Sequence, residues 1–494
     1  MLSNLRKAYA YMQRNGIEKT IYASLERMTV GYGDYEYIPP KVEVLEAQKE
    51  RTFGKKTLFS IVVPAYETGE DYMKALVESL LAQTYPTWEL IIADASSSDR
   101  VNDVINEYED DRIKYYRLSE NKGIAGNTNA AISKAAGDYI GLLDHDDLLT
   151  PDCLYEFALK IDAASNKGEE YAFIYSDEDK CDSSGHKFYE PNIKPEFNLD
   201  LLLSNNYICH FVCYRADIIR YLQLRDEYNG AQDHDLLLRA YRYTNERVIL
   251  SDLQYGHIAK VLYHWRCHED STASNPLSKT YAYKAGIDCV ADYLKTVSID
   301  ADVLETDHNG FFRVEYLDKL QYPEGSKALS DRERLTADTR GRLAYNILLN
   351  RYDIGCIGGH VFNGNKITGG IIDETHTCPY DGMNRHFSGY LHRAVLQQQA
   401  TAVDIRNMMV AESLVSTFID FAQDEKYNSL FNQDLINILK LRLMSGKLDA
   451  PYLDIVPYLT LKETEDVVYW NASVELCSRI VLEGYHIYFD PEFV

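Results

Sequence analysis

The residues best equipped for chemistry are Asp144-His145-Asp146-Asp147, three carboxylates around one histidine, directly after the apolar run Tyr139 to Leu143. A short apolar run with an acidic end reads as a buried strand delivering its charges to a mouth. Residues two apart on a strand share a face, so Asp144 and Asp146 are expected side by side. Two like charges held together are costly unless a cation lies between them. Oxygen ligands alone suit a hard divalent ion, Mn²⁺ or Mg²⁺. The plainer reading is an acidic loop capping a helix that starts near Pro151.

Two further stretches carry reactive groups. In Gly230-Ala-Gln-Asp-His-Asp-Leu-Leu-Leu-Arg239 a turn glycine precedes a leucine run. This puts Asp233 near a helix N-terminus, where a carboxylate is stabilised as its anion; a simple cap is the alternative. In Leu262-Tyr-His-Trp-Arg-Cys-His268, His264 or His268 could complete a metal shell and Arg266 could meet a phosphate. The sequence does not choose between the two histidines, and ordinary packing competes with both.

Alternating elements must position these groups. Phe59 to Pro64, Trp88 to Ala93, Ile113 to Tyr116 and Tyr139 to Leu143 read as strands. Between them lie helical patterns: Leu76, Val77, Leu80 and Leu81; then Val101, Val104, Ile105 and Tyr108, capped by Ser98 or Asp99; then Gly126 to Ala136. Strand–helix alternation implies a doubly wound, mainly parallel α/β sheet. Ligands of such sheets bind beyond the carboxyl ends of the strands. The polar ends Pro64 to Glu67, Asp94 to Asp99, Asn121 to Gly123 and Asp144 to Asp147 are expected to converge on one cleft. No Gly-rich phosphate loop is present there. A diphosphate would need a metal ion, and Tyr66 and Asp94 suit stacking on and hydrogen bonding to a base. The bottom-up reading is a nucleotide-diphosphate site.

The totals narrow the class. A chain of 494 residues, 46% hydrophobic and 26% charged, is a soluble globular protein of two or three domains. A net charge of −25 argues against nucleic acid and against simple electrostatic docking on anionic lipid. The nine cysteines show no zinc spacing and fit free thiols in a cytoplasm; Cys209 and Cys213 read as packing. No signal peptide or membrane-length apolar run is apparent, which predicts a cytoplasmic protein; peripheral membrane association stays open.

Ser60-Ile-Val-Val-Pro-Ala-Tyr66, Gln83-Thr-Tyr-Pro-Thr-Trp-Glu-Leu90, Ala93-Asp-Ala-Ser-Ser-Ser-Asp99, Asn121-Lys-Gly123 with Asn129, and Leu143-Asp-His-Asp-Asp147 together resemble glycosyltransferase family 2. The resemblance covers Leu58 to about Val297 and implies the GT-A fold. It implies a donor site with Pro64, Tyr66, Glu67, Asp94, Asp99, Asn121, Gly123, Asn129, Asp144 and Arg266, with Asp94 on the base. It implies metal ligation by Asp144 and Asp146, the latter the more direct. It implies that Asp233 is the general base, with Asp235 as fallback. Where the family often has Arg before the Asn at 129, this chain has Thr128. Tyr175 to Lys180 and Lys194 to His210 look like the branch that builds bacterial surface polysaccharides. They would put Asp177, Glu178, Asn206 and His210 on the acceptor side, joined by Trp265 of the 262–268 stretch, with plain loop packing as the alternative. The implied activity is inverting transfer of a hexose or rhamnose from a UDP- or dTDP-sugar to a glycan or lipid-linked glycan.

Three segments follow: a helical N-terminal segment and linker over 1–57, a catalytic domain over 58–297, and a C-terminal α/β accessory domain over 298–494. Ile354 to Phe362, Gly369 to Ile372, Thr401 to Asp404 and Leu482 to Pro491 resemble the rear half of a second family 2 domain. Its front half is missing, and Asp300-Ala-Asp302 lies in a connection rather than at an apolar strand end. A role in docking, acceptor guidance or a homodimer is expected. A sugar nucleotidyltransferase, which would want a Gly-rich basic loop, and a non-catalytic carbohydrate-binding scaffold are the rival functions.

Overall fold

A computed structural model describes residues 2–29, 35–246, 253–267, 280–317, 339–446, 448, 451–460 and 465–494. The chain divides into two compact units. One comprises Tyr32–Phe197 and Asn205–Tyr293, the other Met1–Gly31, Asn198–Ser204 and Leu294–Val494.

The first unit is built on a nine-stranded sheet. Its strands are β1 (Phe59–Ala65), β2 (Trp88–Asp94), β3 (Ile113–Arg117), β4 (Tyr139–Leu142), β5 (Leu148–Leu149), β6 (Tyr171–Cys181), β7 (Phe188–Asn192), β8 (Val212–Arg215) and β9 (Gln254–Arg266). The order is β3-β2-β1-β4-β8-β6-β9-β5, with β7 on β6. β3, β2, β1 and β4 are mutually parallel, as the alternation predicts. β8 then runs antiparallel between β4 and β6. β1 and β2 are buried almost throughout because helices cover both faces, which is why they read as unbroken apolar runs. The helix Glu70–Leu81 buries Leu76, Val77 and Leu80 as expected, but Met73 completes the buried stripe and Leu81, expected on the same face, is exposed. Gly137 is required where the chain crosses the start of β1: a Cβ there would lie 2.7 Å from Leu58 O and Ser60 N.

Several boundaries differ from the sequence reading. The Ala-rich helix spans Gly123–Ile132, ending four residues before its expected end, and Asp99 stands at the N-cap of Arg100–Ile105 without a side-chain capping bond. The fourth strand ends at Leu142, so Asp144 and Asp146 sit on a turn, closed by Asp147 N donating to Asp144 O at 3.2 Å. Leu148–Leu149 is a strand of its own on β9.

In the second unit the helix Leu2–Thr29 kinks at Gly16, whose φ of +85° suits glycine. Ala301–Glu305 and Phe312–Tyr316 form an antiparallel hairpin that pairs Val303 with Val314. Of the charged stretch 325–342, residues 325–338 lie outside the described residues, and a helix spans Thr339–Asn350. A five-stranded sheet orders Gln398–Gln399, His486–Phe489, Ile354–Gly358, Met408–Ala411 and Tyr452–Asp454. The short helix Leu199–Ser204 belongs here, although its sequence neighbours lie in the other unit. Its Asp200 pairs with fully buried Arg351, and Ser204 Oγ donates to Gln397 O at 2.8 Å.

Candidate active site

The carboxyl ends of β1 and β4 and the start of the helix Gln232–Asn245 enclose a pocket of about 60 Å³. Pro64, Thr128, Asp144, Cys209, His210 and Asp233 are among its lining residues. Asp144 and Asp233, some ninety residues apart in sequence, therefore face one space. Asp233 lies inside the first helical turn, after the N-cap Ala231. Its Oδ2 accepts from Asn206 Nδ2 at 2.7 Å and from the Cys209 thiol at 3.8 Å. Asp235 is spoken for: it is 1% exposed and ion-paired with Arg225 and Arg239. It stabilises the helix and has no free edge for a substrate.

Asp144 is water-accessible, at 53% side-chain exposure, and lines the pocket recess. Desolvation there raises its carboxyl above the ordinary range. Asp146 and Asp233 add to the rise, while His210 and His145 oppose it. Crowded carboxylates of this kind fit a hard cation that takes its other ligands from a diphosphate and water. Among the described residues no group of three or more His, Cys, Asp or Glu forms a ready-made cage. Asp147 has a different task. Fully buried, its carboxyl is pushed well up by desolvation, then by Asp146 and Asp144. It bonds the Tyr263 hydroxyl and accepts from Arg266 N at 2.6 Å, tying the acidic turn to β9.

Strand alternation splits the β9 residues. Tyr263 and Trp265 face the site: His210 stacks on Tyr263 at 4.8 Å and 8°, and meets Trp265 at 5.6 Å. His264 and Arg266 project to the other face. The His264 Nδ1 bonds Asp179 Oδ1 at 2.5 Å, and its ring lies between Tyr37 and Phe188. The Arg266 guanidinium lies over Tyr72 at 4.8 Å and donates to Ser183 O at 3.2 Å. Neither is brought to the Asp144 recess. His268 lies outside the described residues.

The expected donor residues behave unequally. Tyr66 is 53% exposed and open to stacking. Asp94 has no exposed surface. Its Oδ1 accepts from Ser96 N at 2.9 Å, its Oδ2 from the Tyr115 hydroxyl at 2.7 Å, and Arg117 stands 3.5 Å away. It anchors the 94–99 loop and presents no open edge to a base. Arg117 also donates to the carbonyls of Ser96 and Ser98 and pairs with Asp99. Glu67, at φ +48°, accepts from Ser97 and Ser98 through both backbone and hydroxyls, and the Ser98 and Ser97 bonds hold its carboxyl down at about 2. Asn121 accepts from Gly123 N at 2.9 Å and so shapes its own turn. Asn129 bonds both N–H and C=O of Leu224, a pocket-lining residue. Pro64 lines the pocket directly.

On the expected acceptor side, Asp177 is buried on His257 and on the backbone of Lys194. Glu178 accepts from His210 N at 3.1 Å and lies 3.3 Å from His210 Nδ1. Burial alone would raise Glu178, but Lys194 and His210 outweigh it and hold it at about 2. His210 reaches across to Asp144, 3.8 Å from its Nε2. Burial disfavours charge on His210, yet its neighbours Cys209 and Glu178 hold it well above the usual histidine range. Burial pushes the Cys209 thiol up to about 11, so Glu178 is the anion that keeps this proton in place. Two residues here escape the sequence reading. Cys209 reads as packing but lines the pocket, unlike Cys213, which is wholly buried. Lys194 opens a segment that the resemblance puts on the acceptor side, but nothing in the sequence singles out its own side chain.

A parallel sheet whose central strand ends in an acidic turn, faced by a carboxylate on a helix N-terminus, is an α/β arrangement of the GT-A type. Residues 60–222 match the profile of glycosyl transferase family 2, and this segment belongs to that family. The chain is 39% identical over 241 residues to the uncharacterized protein y4gI of Sinorhizobium fredii, covering 48% of this chain and 25% of that protein. It is 32% identical over 254 residues to the O-antigen biosynthesis protein RfbC of Myxococcus xanthus, covering 51% and 19%. It is 32% identical over 252 residues to the hyaluronan synthase of Pasteurella multocida, covering 49% and 24%. The chain thus spans a quarter or less of the length of these relatives. Among solved structures it is similar to S. aureus TarS residues 1–349 in complex with UDP, at 19% identity and TM-score 0.36, covering 48% of this chain and 65% of that one.

Among the described residues no helix is long and apolar enough to cross a membrane. All nine cysteines are free thiols.

Proposed function

We propose that this protein is an inverting glycosyltransferase that moves a sugar from a UDP- or dTDP-sugar to a hydroxyl of a growing surface glycan, free or lipid-linked. The observation that carries the reading is that Asp144 and Asp233 line the same pocket. The names of the relatives, an O-antigen biosynthesis protein and a hyaluronan synthase, support polysaccharide synthesis as the setting.

Asp144 and Asp146 would hold Mn²⁺ or Mg²⁺, and a divalent ion bound there would supply charge neutralisation for a departing diphosphate. Asp233 takes the proton of the acceptor hydroxyl. Its orientation is fixed by Asn206, and its place in the first helical turn favours the carboxylate. Tyr66 offers a face for the base, and Trp265 and Tyr263 flank the acceptor side through His210. One base and one displacement give inversion. The accessory unit, without a second acidic turn among its described residues, guides the acceptor or pairs two copies.

The test is nucleoside diphosphate release from a panel of UDP-, dTDP- and GDP-sugars with Mn²⁺ or Mg²⁺. Release that stops on chelation and with Asp144→Asn supports the reading. Pyrophosphate-dependent turnover would instead make the protein a nucleotidyltransferase, and no binding of any donor would make it a scaffold.

A further inference from the structure

We infer that Lys194 is a positioning residue for this reaction: its buried ammonium, with Glu178, pins the 208–210 backbone so that Cys209 and His210 meet Asp233 and Asp144. The inference rests on the transferase reading above.

The Lys194 side chain has no exposed surface. An ammonium has three donors, and a buried one needs all of them met. Here Nζ donates to Ser176 O at 2.7 Å, to Ile208 O at 2.6 Å and to His210 O, with Glu178 Oε2 at 3.4 Å. Burial draws the lysine's pKa down and Glu178 works against that. The same Glu178 takes the N–H of His210. One buried ion pair therefore holds the carbonyls of residues 208 and 210 and the amide of 210 together.

What it holds matters. Between the two pinned carbonyls lies Cys209, at φ +38°, a conformation that L residues adopt only when their surroundings impose it. The Cys209 thiol reaches Asp233, and its backbone N–H donates to Asn206 Oδ1 at 3.3 Å, the amide whose other end holds Asp233. The His210 ring reaches Asp144. Lys194 touches no pocket-lining carboxylate itself. It acts through the segment that touches both.

Small displacements of positioned groups cost large factors in rate. Lys194→Ala is expected to lower transfer kcat by about a hundredfold while donor Kd, read by calorimetry with Mn²⁺, stays within threefold. The void left among three carbonyls and a carboxylate fits a small ammonium ion, so methylammonium at tens of millimolar is expected to restore at least tenfold of the lost kcat. A folded Lys194→Ala with kcat within threefold of the parent overturns the inference. So does loss of donor affinity in step with kcat, because a merely structural defect does that. If Lys194→Ala is not recovered folded, the charge-balanced pair Lys194→Met with Glu178→Gln takes its place. The same fall in kcat with donor Kd kept supports the inference, and near-parental kcat overturns it. Failure of the transferase reading is separate: the unaltered protein would then release no nucleotide from any donor.

Discussion

Two helices of this chain open on the same Gln-Asp pair and have different fates. Gln232–Asn245 stands over the pocket, and Gln433–Met444 lies in the accessory unit. In the first, Asp233 is turned to Asn206 and Cys209, and the next acid, Asp235, is locked between two arginines. In the second, Asn432 caps the helix by accepting from Asp434 N and Leu435 N, and the position of Asp235 is taken by buried Ile436. The strand ends differ in parallel. β4 opens onto the acidic recess. Ile354–Gly358 runs into Gly359, where a Cβ would lie 1.9 Å from Phe493 O, so the residues around Asp490 to Phe493 fill the place over that strand. The same secondary structure makes a site only where the strand end stays open and the helix acid keeps a polar partner.

The widest expected gap between the two helices is in activity. Asp233→Asn is expected to cut transfer by about a thousandfold, the scale of removing a general base, with donor Kd unchanged. Asp434→Asn is expected to leave turnover within twofold. Comparable losses in both would mean that the accessory unit takes part in the chemistry and would break the contrast. The next gap is in stability. Asp235→Asn strands two arginine partners of a buried carboxylate and is expected to cost about 3 kcal/mol in denaturant unfolding. Ile436→Val, a trimmed apolar contact at the corresponding place, is expected to cost about 1 kcal/mol.

Much of this was legible in the sequence, and the failures have physical reasons. The parallel strands were readable because strands buried on both faces must be continuously apolar, and the helix over the pocket because Gly230 and the leucine run mark its start. Strand spacing was carried past Leu143 to place Asp144 beside Asp146, although both sit on a turn; either conformation can bring residues two apart together. His264 and Arg266 read as ligands because a sequence shows neighbours, not faces; alternation on β9 sends Tyr263 and Trp265 to the site and those two away. Asp94 was legible as a polar strand end, but its burial under Tyr115 and Arg117 depends on the neighbouring strand β3. The placement of Asn198–Ser204 depends on Arg351, a partner about 150 residues distant that no local pattern could name.

Gly359 offers a smaller test of the plugged strand end. Gly359→Ala forces a methyl against the Phe493 carbonyl, and overpacking of this kind costs about 2 kcal/mol. The loss is expected in the accessory unit's unfolding, with donor binding retained. Unchanged stability would mean that the residues over that strand are loosely held, and the contrast with β4 would weaken.

The smallest effect concerns the open side and follows from Glu178. Its folded pKa of about 2 lies below its unfolded value of about 4.5. A depressed carboxylate contributes stability that is fully present above the unfolded pKa and is lost as pH falls through the folded one. The window therefore runs from about pH 4.5 down to about pH 2, and the loss from this group reaches roughly 1 kcal/mol at pH 4. Denaturant unfolding at pH 7 and pH 4 is expected to show that increment in the parent and to lack it in Glu178→Gln. If the variant keeps the same pH slope, then Lys194 and His210 are not what holds this carboxylate ionised, and the buried pair beneath the pocket is not the anchor that distinguishes the open strand end from the plugged one.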